Sequence, residues 1–179
     1  THICDKITVH IRNMNGNVNY TMLNKFIHTV METYNITIDN DAKKLEEMCI
    51  INKIPFYILS GGMDKIIMEV HKKKDVKNII SHNLEIINGT IVFKCNDFIN
   101  PKGKYIEENF PKDKFDVIFI GDGVSDFSVV GKCVSLFAKK GSILEKKCID
   151  ENIKYIAFEK FTEIINILIE KKYLSGDTT

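Results

Sequence analysis

Along most of the chain, short apolar runs alternate with amphipathic stretches, and this alternation predicts the fold class. From about residue 55 onward, each apolar run is followed by a segment whose apolar residues recur at helical spacing. Strands that are buried on both faces are continuously apolar, whereas a helix that covers a sheet is apolar on one face only. The pattern therefore predicts an α/β fold with a doubly wound parallel sheet and right-handed crossovers.

The same pattern predicts the individual elements. Amphipathic segments predict helices over residues 21–34 and 41–52, after Gly62, from Lys102, over residues 142–151, and from Phe161 to Ile169. Apolar runs predict strands over residues 56–59, 76–80, 84–87, 90–93, 117–120, 133–138 and 153–157. In the first helix, the inward face is predicted to contain Met22, Phe26, Val30 and Met31.

Two further features concern the connections and the end of the chain. Asn88-Gly89 separates two apolar runs, and this dipeptide predicts a β-hairpin with a two-residue type I′ turn. The hairpin can be a plain edge hairpin or a small flap over a site. Residues 1–179 are predicted to form a single domain, because this length suits one full core. Residues 173–179 are predicted to be a loose tail.

Composition narrows the classes of partner. Of the 179 residues, 44% are hydrophobic and 27% are charged, and the formal net charge is +1. Basic and acidic residues are intermixed, so there is no electrostatic case for binding nucleic acid or a membrane surface. The five cysteines are scattered and show no C-x-x-C spacing. They favour a reducing compartment, and we expect a cytoplasmic protein.

The most informative stretch follows the apolar run at residues 117–120. There the sequence reads Gly121-Asp122-Gly123-Val124-Ser125-Asp126, so two carboxylates follow a strand end. In open α/β sheets, ligands bind in the crevice at the carboxyl ends of the strands. Two carboxylates without a basic residue between them suit a hard cation such as Mg²⁺. An ordinary strand–turn–helix, with Asp126 decorating the first helical turn, explains this stretch equally well.

A second apolar run ends in a hydroxyl and two glycines. Residues 56–59 are followed by Ser60-Gly61-Gly62, and a helix is predicted next. A hydroxyl and backbone N–H groups beside a helix amino terminus can hold an anion such as phosphate. The alternative is a plain turn between strand and helix, in which glycine allows close packing.

Taken in order, Ser60, Lys102 and the Gly-Asp-Gly-x-x-Asp stretch resemble motifs two, three and four of the haloacid dehalogenase-like (HAD) phosphatases. The segment from Ile54 to Asp64 resembles the branch that contains 2-hydroxy-3-keto-5-methylthiopentenyl-1-phosphate phosphatase and phosphocholine phosphatases. The resemblance covers roughly residues 41–172. It implies a Rossmann-type core with a small, reduced helical cap or insertion at residues 11–40, and an Mg²⁺-dependent hydrolase of a small phosphorylated metabolite.

The resemblance also implies a role for each matching residue. Ser60 and Gly61 bind the phosphoryl group, and Lys102 neutralises its charge, with Lys104 as the alternative lysine. Asp122 binds Mg²⁺, and Asp126 supports or joins the metal shell. In this family, an aspartate on the first strand attacks phosphorus and forms an aspartyl-phosphate, which splits one difficult displacement into two steps.

The chain departs from the family at the first motif. The family pattern is Asp-x-Asp-x-Thr, whereas the nearest match is Ile3-Cys4-Asp5-Lys6-Ile7-Thr8, which has one aspartate and a shorter spacing. By resemblance, Asp5 is the candidate catalytic and metal-binding residue of this strand, but one of the two carboxylates is missing. Either the chain is a catalytically impaired pseudophosphatase that binds a phospho-ligand or a partner protein, or the sequence lacks pieces of its amino-terminal region.

Overall fold

A computed structural model describes residues 18–72, 78–96 and 102–176. The helices within these residues are α1 (Tyr20–Thr33), α2 (Asn40–Ile51), α3 (Asp64–His71), α4 (Lys102–Asn109), α5 (Ile143–Asp150) and α6 (Phe161–Glu170). The strands are β1 (Ile58–Met63), β2 (Ile79–Ile87), β3 (Thr90–Lys94), β4 (Ile118–Gly121), β5 (Ser135–Lys139) and β6 (Ile156–Phe158). A 3-10 helix, Ser125–Val129, follows β4.

Side-chain caps explain where several helices begin. The Asn19 side chain accepts a hydrogen bond from the backbone N–H of Met22 at the start of α1. Asp39 accepts from the first turn of α2, and Ser142 accepts from Glu145 at the start of α5. Each cap satisfies an N–H group that has no partner within its own helix.

The described residues form two compact units, where the sequence predicted a single domain. The first unit is drawn from residues 1–38 and 57–96, and the second from residues 39–56 and 97–179. In each unit, helices pack on a three-stranded sheet, and both sheets contain parallel pairs. The predicted α/β fold class is therefore confirmed.

In the first unit, the sheet order is β1-β2-β3, with β1 parallel and β3 antiparallel to β2. The predicted hairpin is present: Ile87 pairs with Thr90, and Asn88 and Gly89 both have positive φ angles, as a type I′ turn requires. The prediction of two separate strands, at residues 76–80 and 84–87, is wrong in one respect. Among the described residues, Ile79–Ile87 is one continuous strand.

The core of the first unit lies where α1 and α3 meet this sheet, and it contains Val18, Leu23, Phe26, Ile27, Val30, Met63, Ile66, Leu84 and Ile91. The predicted inward face of α1 is partly wrong, because Met22 is 42% exposed and Leu23 is 1% exposed. Phe26 and Val30 are buried as predicted. The buried stripe follows Leu23, Phe26, Ile27 and Val30, which is the spacing of one helical face.

In the second unit, the sheet order is β4-β5-β6 and every pair is parallel. Its core contains Leu45, Met48, Cys49, Phe137, Phe158, Ile164, Ile165, Leu168 and Leu174. The central strand β5 is the most deeply buried, since its three middle residues are all buried. A strand covered on both faces has a continuous apolar sequence, which is why this run could be recognised from the sequence.

The prediction of a loose tail over residues 173–179 is wrong for the first residues of that range. Leu174 is 3% exposed and belongs to the core of the second unit. The backbone N–H and the hydroxyl of Ser175 each donate to Asn52 Oδ1 at 2.8 Å. The buried leucine and these two bonds hold the chain against α2.

Among the residues that the structure describes, no helix combines the length and apolar character needed to cross a membrane.

Two neighbouring residues of α5 provide a test of this packing. Leu144 is fully buried, whereas Ile143 is 56% exposed. We expect Leu144→Ala to lower the free energy of unfolding by about 2–5 kcal/mol, because it leaves a cavity in a packed core. Ile143→Ala, the control at the adjacent position, should change it by about 0.5 kcal/mol or less. Urea denaturation followed by circular dichroism measures both, and equal effects would contradict the burial pattern.

Candidate active site

The loop after β4 is closed by the side chain of Asp126. Asp126 is 2% exposed, and its Oδ2 accepts hydrogen bonds from the backbone N–H groups of Asp122 and Gly123, both at 2.8 Å. The carboxylate therefore folds back over the turn that precedes it. Asp126 thus lies in the first turn of the 3-10 helix, as the alternative of an ordinary strand–turn–helix predicted, but its carboxylate is buried and accepts hydrogen bonds from the loop.

The second oxygen of the same carboxylate binds a lysine from another element. Lys102, the first residue of α4, is 8% exposed, and its Nζ donates to Asp126 Oδ1 at 2.5 Å. Lys104, the alternative lysine, is exposed, and its Nζ lies 3.8 Å from Glu108 Oε1 on the same helix. Of these two lysines, the one whose ammonium group reaches the Gly-Asp-Gly-x-x-Asp loop is Lys102.

Gly121 is required by the close approach of Asp126. A Cβ atom added to Gly121 would lie 2.5 Å from Asp126 Oδ2, whereas one added to Gly123 would lie 3.5 Å from it. Neither glycine is among those with positive φ angles. The need at Gly121 is therefore for space beside the buried carboxylate.

A second glycine brings the lysine-bearing helix into contact with the 3-10 helix. A Cβ atom on Gly103 would lie 1.9 Å from the backbone oxygen of Ser128. The backbone N–H of Gly103 donates to Ser128 Oγ at 2.9 Å, and this hydroxyl donates to the Ser125 carbonyl at 2.8 Å. Sequence reasoning missed Ser128, because nothing in a local pattern pairs it with a residue so far back in the chain.

Asp122 differs from Asp126 in its surroundings. Its backbone is held on both sides, by the bond from its N–H to Asp126 and by the Leu144 N–H, which donates to its carbonyl at 3.1 Å. Its side chain is exposed, and within the described residues the carboxylate makes no hydrogen bond or ion pair. In residues 18–72, 78–96 and 102–176, no group of three or more His, Cys, Asp or Glu side chains is positioned to hold a metal.

Ser60 and Gly61 lie in the first unit, in a setting that differs from the prediction. Strand β1 does not end at Ser60 but continues to Met63, with a shift of register against β2 between Leu59 and Met63. Ser60 Oγ accepts a hydrogen bond from the Gly62 N–H at 3.0 Å. The following helix begins at Asp64, whose Oδ1 accepts from the Leu84 N–H at 2.9 Å.

The structure thus brings three of the predicted site residues together in the second unit: Lys102, Asp122 and Asp126. Ser60 and Gly61 belong to the other unit. Asp5, the candidate of the first motif, lies outside the described residues.

The cysteines of the second unit are poor candidates for a nucleophile. Burial raises the pKa of the thiols of Cys49, Cys133 and Cys148 above the ordinary value. A thiol is nucleophilic only as the thiolate, so a raised pKa lowers the fraction of these side chains that can react at neutral pH. Chemistry based on the carboxylates and the lysine is therefore favoured over thiol chemistry in this unit.

No protein-family model matches the chain. It is similar to Pdp3-interacting factor 1 of Schizosaccharomyces pombe, with 30% identity over 150 residues, which cover 73% of this chain and 62% of that protein. It is also similar to polyol phosphate phosphatase PYP1 of Saccharomyces cerevisiae, with 27% identity over 166 residues that cover 80% of this chain and 67% of that protein.

A third relative is 2-hydroxy-3-keto-5-methylthiopentenyl-1-phosphate phosphatase of Bacillus cereus, with 27% identity over 134 residues that cover 68% of this chain and 60% of that protein. The chain therefore spans only about three fifths of the length of some of these relatives. Among solved structures, a HAD family hydrolase from Salmonella enterica serovar Typhi matches 100% of this chain and 62% of its own, with a TM-score of 0.56 and 16% identity.

At that level of identity, the structural likeness shows the fold alone. The sequence relatives add two proteins that are named as phosphatases. The chain therefore has the fold of the haloacid dehalogenase-like hydrolases and is related in sequence to phosphatases.

Proposed function

We propose that the protein is an Mg²⁺-dependent phosphomonoesterase that acts on a small phosphorylated metabolite through an aspartyl-phosphate. The observation that carries the proposal is the buried ion pair between Lys102 and Asp126, built into the loop that presents Asp122. A phosphoryl group brings several negative charges to its site. A fixed cation and a metal ion are the usual means of offsetting them.

Lys102 supplies the fixed cation in this proposal. An ammonium group has three donors, and the bond to Asp126 Oδ1 uses one of them. Asp126 holds Nζ in place, so that the remaining donors are oriented before a ligand arrives. Preorganised donors are the ones that stabilise developing charge without a cost of reorganisation.

The residues of this loop fit an Mg²⁺ ion. The exposed Asp122 carboxylate is a hard oxygen ligand, and Mg²⁺ is commonly held by one or two carboxylates with several waters. Both oxygens of Asp126 already accept hydrogen bonds from the protein, which favours the supporting role among the two expected from the resemblance. When bound, the ion polarises phosphoryl oxygens and neutralises their charge.

The remaining roles rest on the resemblance. Asp5 is proposed as the nucleophile and as a second metal ligand, and Ser60 with Gly61 is proposed to bind the phosphoryl group. The named substrates of two relatives, a polyol phosphate and 2-hydroxy-3-keto-5-methylthiopentenyl-1-phosphate, are both esters of phosphate with a small organic alcohol. We therefore propose a substrate of this class, in a cytoplasmic setting.

The first test is hydrolysis of p-nitrophenyl phosphate in the presence and absence of Mg²⁺. We expect Asp122→Asn to lower kcat/KM by about 100-fold or more, because several kcal/mol of charge stabilisation are lost with the metal ligand. The control is Asp116→Asn, which changes an exposed carboxylate just before the start of β4 and should leave activity unchanged. Hydrolysis that is indifferent to Asp122→Asn, or to removal of Mg²⁺ by a chelator, would contradict the proposal.

A second candidate function is a pseudophosphatase that binds a phospho-ligand or a partner protein without turnover. The observation that favours it is the single aspartate of Ile3-Cys4-Asp5-Lys6-Ile7-Thr8, where the family has two. This candidate predicts that phosphate or vanadate raises the melting temperature while no product forms. Turnover that depends on Asp5, tested with Asp5→Asn, would rule it out.

Both candidates predict that Lys102 contributes to phosphate affinity. We expect Lys102→Gln to weaken orthophosphate binding about 10-fold or more, because a hydrogen bond to a charged group is worth about 1.5–3 kcal/mol. Lys104→Gln changes the same charge on the exposed side of the same helix and should have no such effect. The measurement is the increase in melting temperature with phosphate and Mg²⁺, relative to each variant without ligand. Equal losses of phosphate affinity in the two variants would show that only the net charge matters.

A further inference from the structure

We infer that Ser128 is a positioning residue, which fixes the start of helix α4 so that Lys102 meets Asp126. The inference rests on the proposed function for its activity readout, but its structural part concerns only the described second unit. The hydrogen bonds of the Ser128 hydroxyl go to backbone groups of α4 and of the 3-10 helix, so Ser128 acts through the backbone of these two elements.

The Ser128 hydroxyl uses both of its hydrogen-bonding capacities. It accepts from the Gly103 N–H at 2.9 Å and donates to the Ser125 carbonyl at 2.8 Å. Gly103 is the second residue of α4, so its N–H is one of those without a partner inside the helix. Ser125 begins the 3-10 helix that carries Asp126. One hydroxyl therefore joins the residue after Lys102 to the residue before Asp126.

The backbones meet at the same place. A Cβ atom on Gly103 would lie 1.9 Å from the Ser128 carbonyl oxygen, so the two elements are in direct contact and cannot approach further. Contact sets the shortest separation, and the hydrogen bond opposes a longer one. The bond and the contact together fix the distance that the Lys102 side chain must span.

A further tie of α4 to this region lies later along the helix. Glu107 pairs with Lys132, and the Glu107 side chain is 67% exposed. Exposed ion pairs contribute little to stability, since water competes for both partners. An eight-residue helix is also too short to be stable by itself. At the end of α4 where Lys102 lies, the bond to Ser128 holds the backbone, while the Lys102–Asp126 pair joins the side chains.

The first experiment asks whether Ser128 acts through the ion pair. The change in the unfolding equilibrium constant caused by Ser128→Ala is measured in three backgrounds by urea denaturation. The first background is the unmodified chain. The second is the double variant Lys102→Met/Asp126→Asn, which removes the buried pair without leaving a lone charge. The third is Lys104→Met/Glu108→Gln, which removes the exposed pair of the same helix.

We expect the effect of Ser128→Ala to be about 5-fold smaller in the background without the buried pair, because there is then no lysine to position. It should be undiminished in the background without the exposed pair. An effect that is the same in all three backgrounds would overturn the inference and leave Ser128 as a simple structural contact. If Ser128→Ala does not fold, Ser128→Cys serves in its place, because a thiol is only a weak hydrogen-bonding group.

The second experiment uses function. With p-nitrophenyl phosphate and Mg²⁺, Ser128→Ala should lower kcat/KM about 10-fold, and Ser128→Thr, which keeps the hydroxyl, should restore it. Loss of activity in both variants alike would overturn the inference. If the unmodified protein shows no turnover, the proposed catalysis fails, and the test of Ser128 then rests on the three-background comparison, which requires no activity.

Discussion

The candidate site depends on one buried ion pair, Lys102 with Asp126. Removing two charges from water is costly, and their attraction compensates only when the geometry is good and the remaining hydrogen-bonding capacity is used. Asp126 meets this condition, since one oxygen accepts from the ammonium group and the other from two backbone N–H groups. The form of the loop after β4 follows from satisfying this carboxylate, because the N–H groups of Asp122 and Gly123 both turn towards it.

The pair also explains which positions must be glycine. Gly121 lies against the Asp126 carboxylate, and Gly103 lies against the backbone of Ser128, so that neither position has room for a Cβ atom. These two glycines therefore serve close packing.

Two carboxylates in one short motif have different surroundings. Asp126 is buried and fully engaged by the protein, whereas Asp122 is exposed, with its backbone held by Asp126 on one side and by the start of α5 on the other. The carboxylate of Asp126 is therefore closed to solvent, whereas that of Asp122 is open to it. This division follows from burial and hydrogen bonding, since the two side chains are chemically identical.

The sequence by itself determined the elements and the motif order. Continuous apolar runs and helical spacing predicted the strands and helices of both units, and Asn88-Gly89 predicted the hairpin turn, because these signals depend on local backbone preferences. Local signals were insufficient where neighbours in space decide the outcome. Leu174 is buried rather than part of a loose tail, and β1 runs on through the two glycines after Ser60.

For the site, the sequence offered Lys102 and Lys104 as alternatives and left two readings of Asp126 open. Only the tertiary structure decided that Lys102 reaches Asp126 and that Asp126 is buried, because the two residues are 24 positions apart and meet through the packing of α4 on the 3-10 helix. Ser128 had no signal in the sequence at all. Its importance arises from a hydroxyl and a missing Cβ atom that come into contact only when the chain is folded.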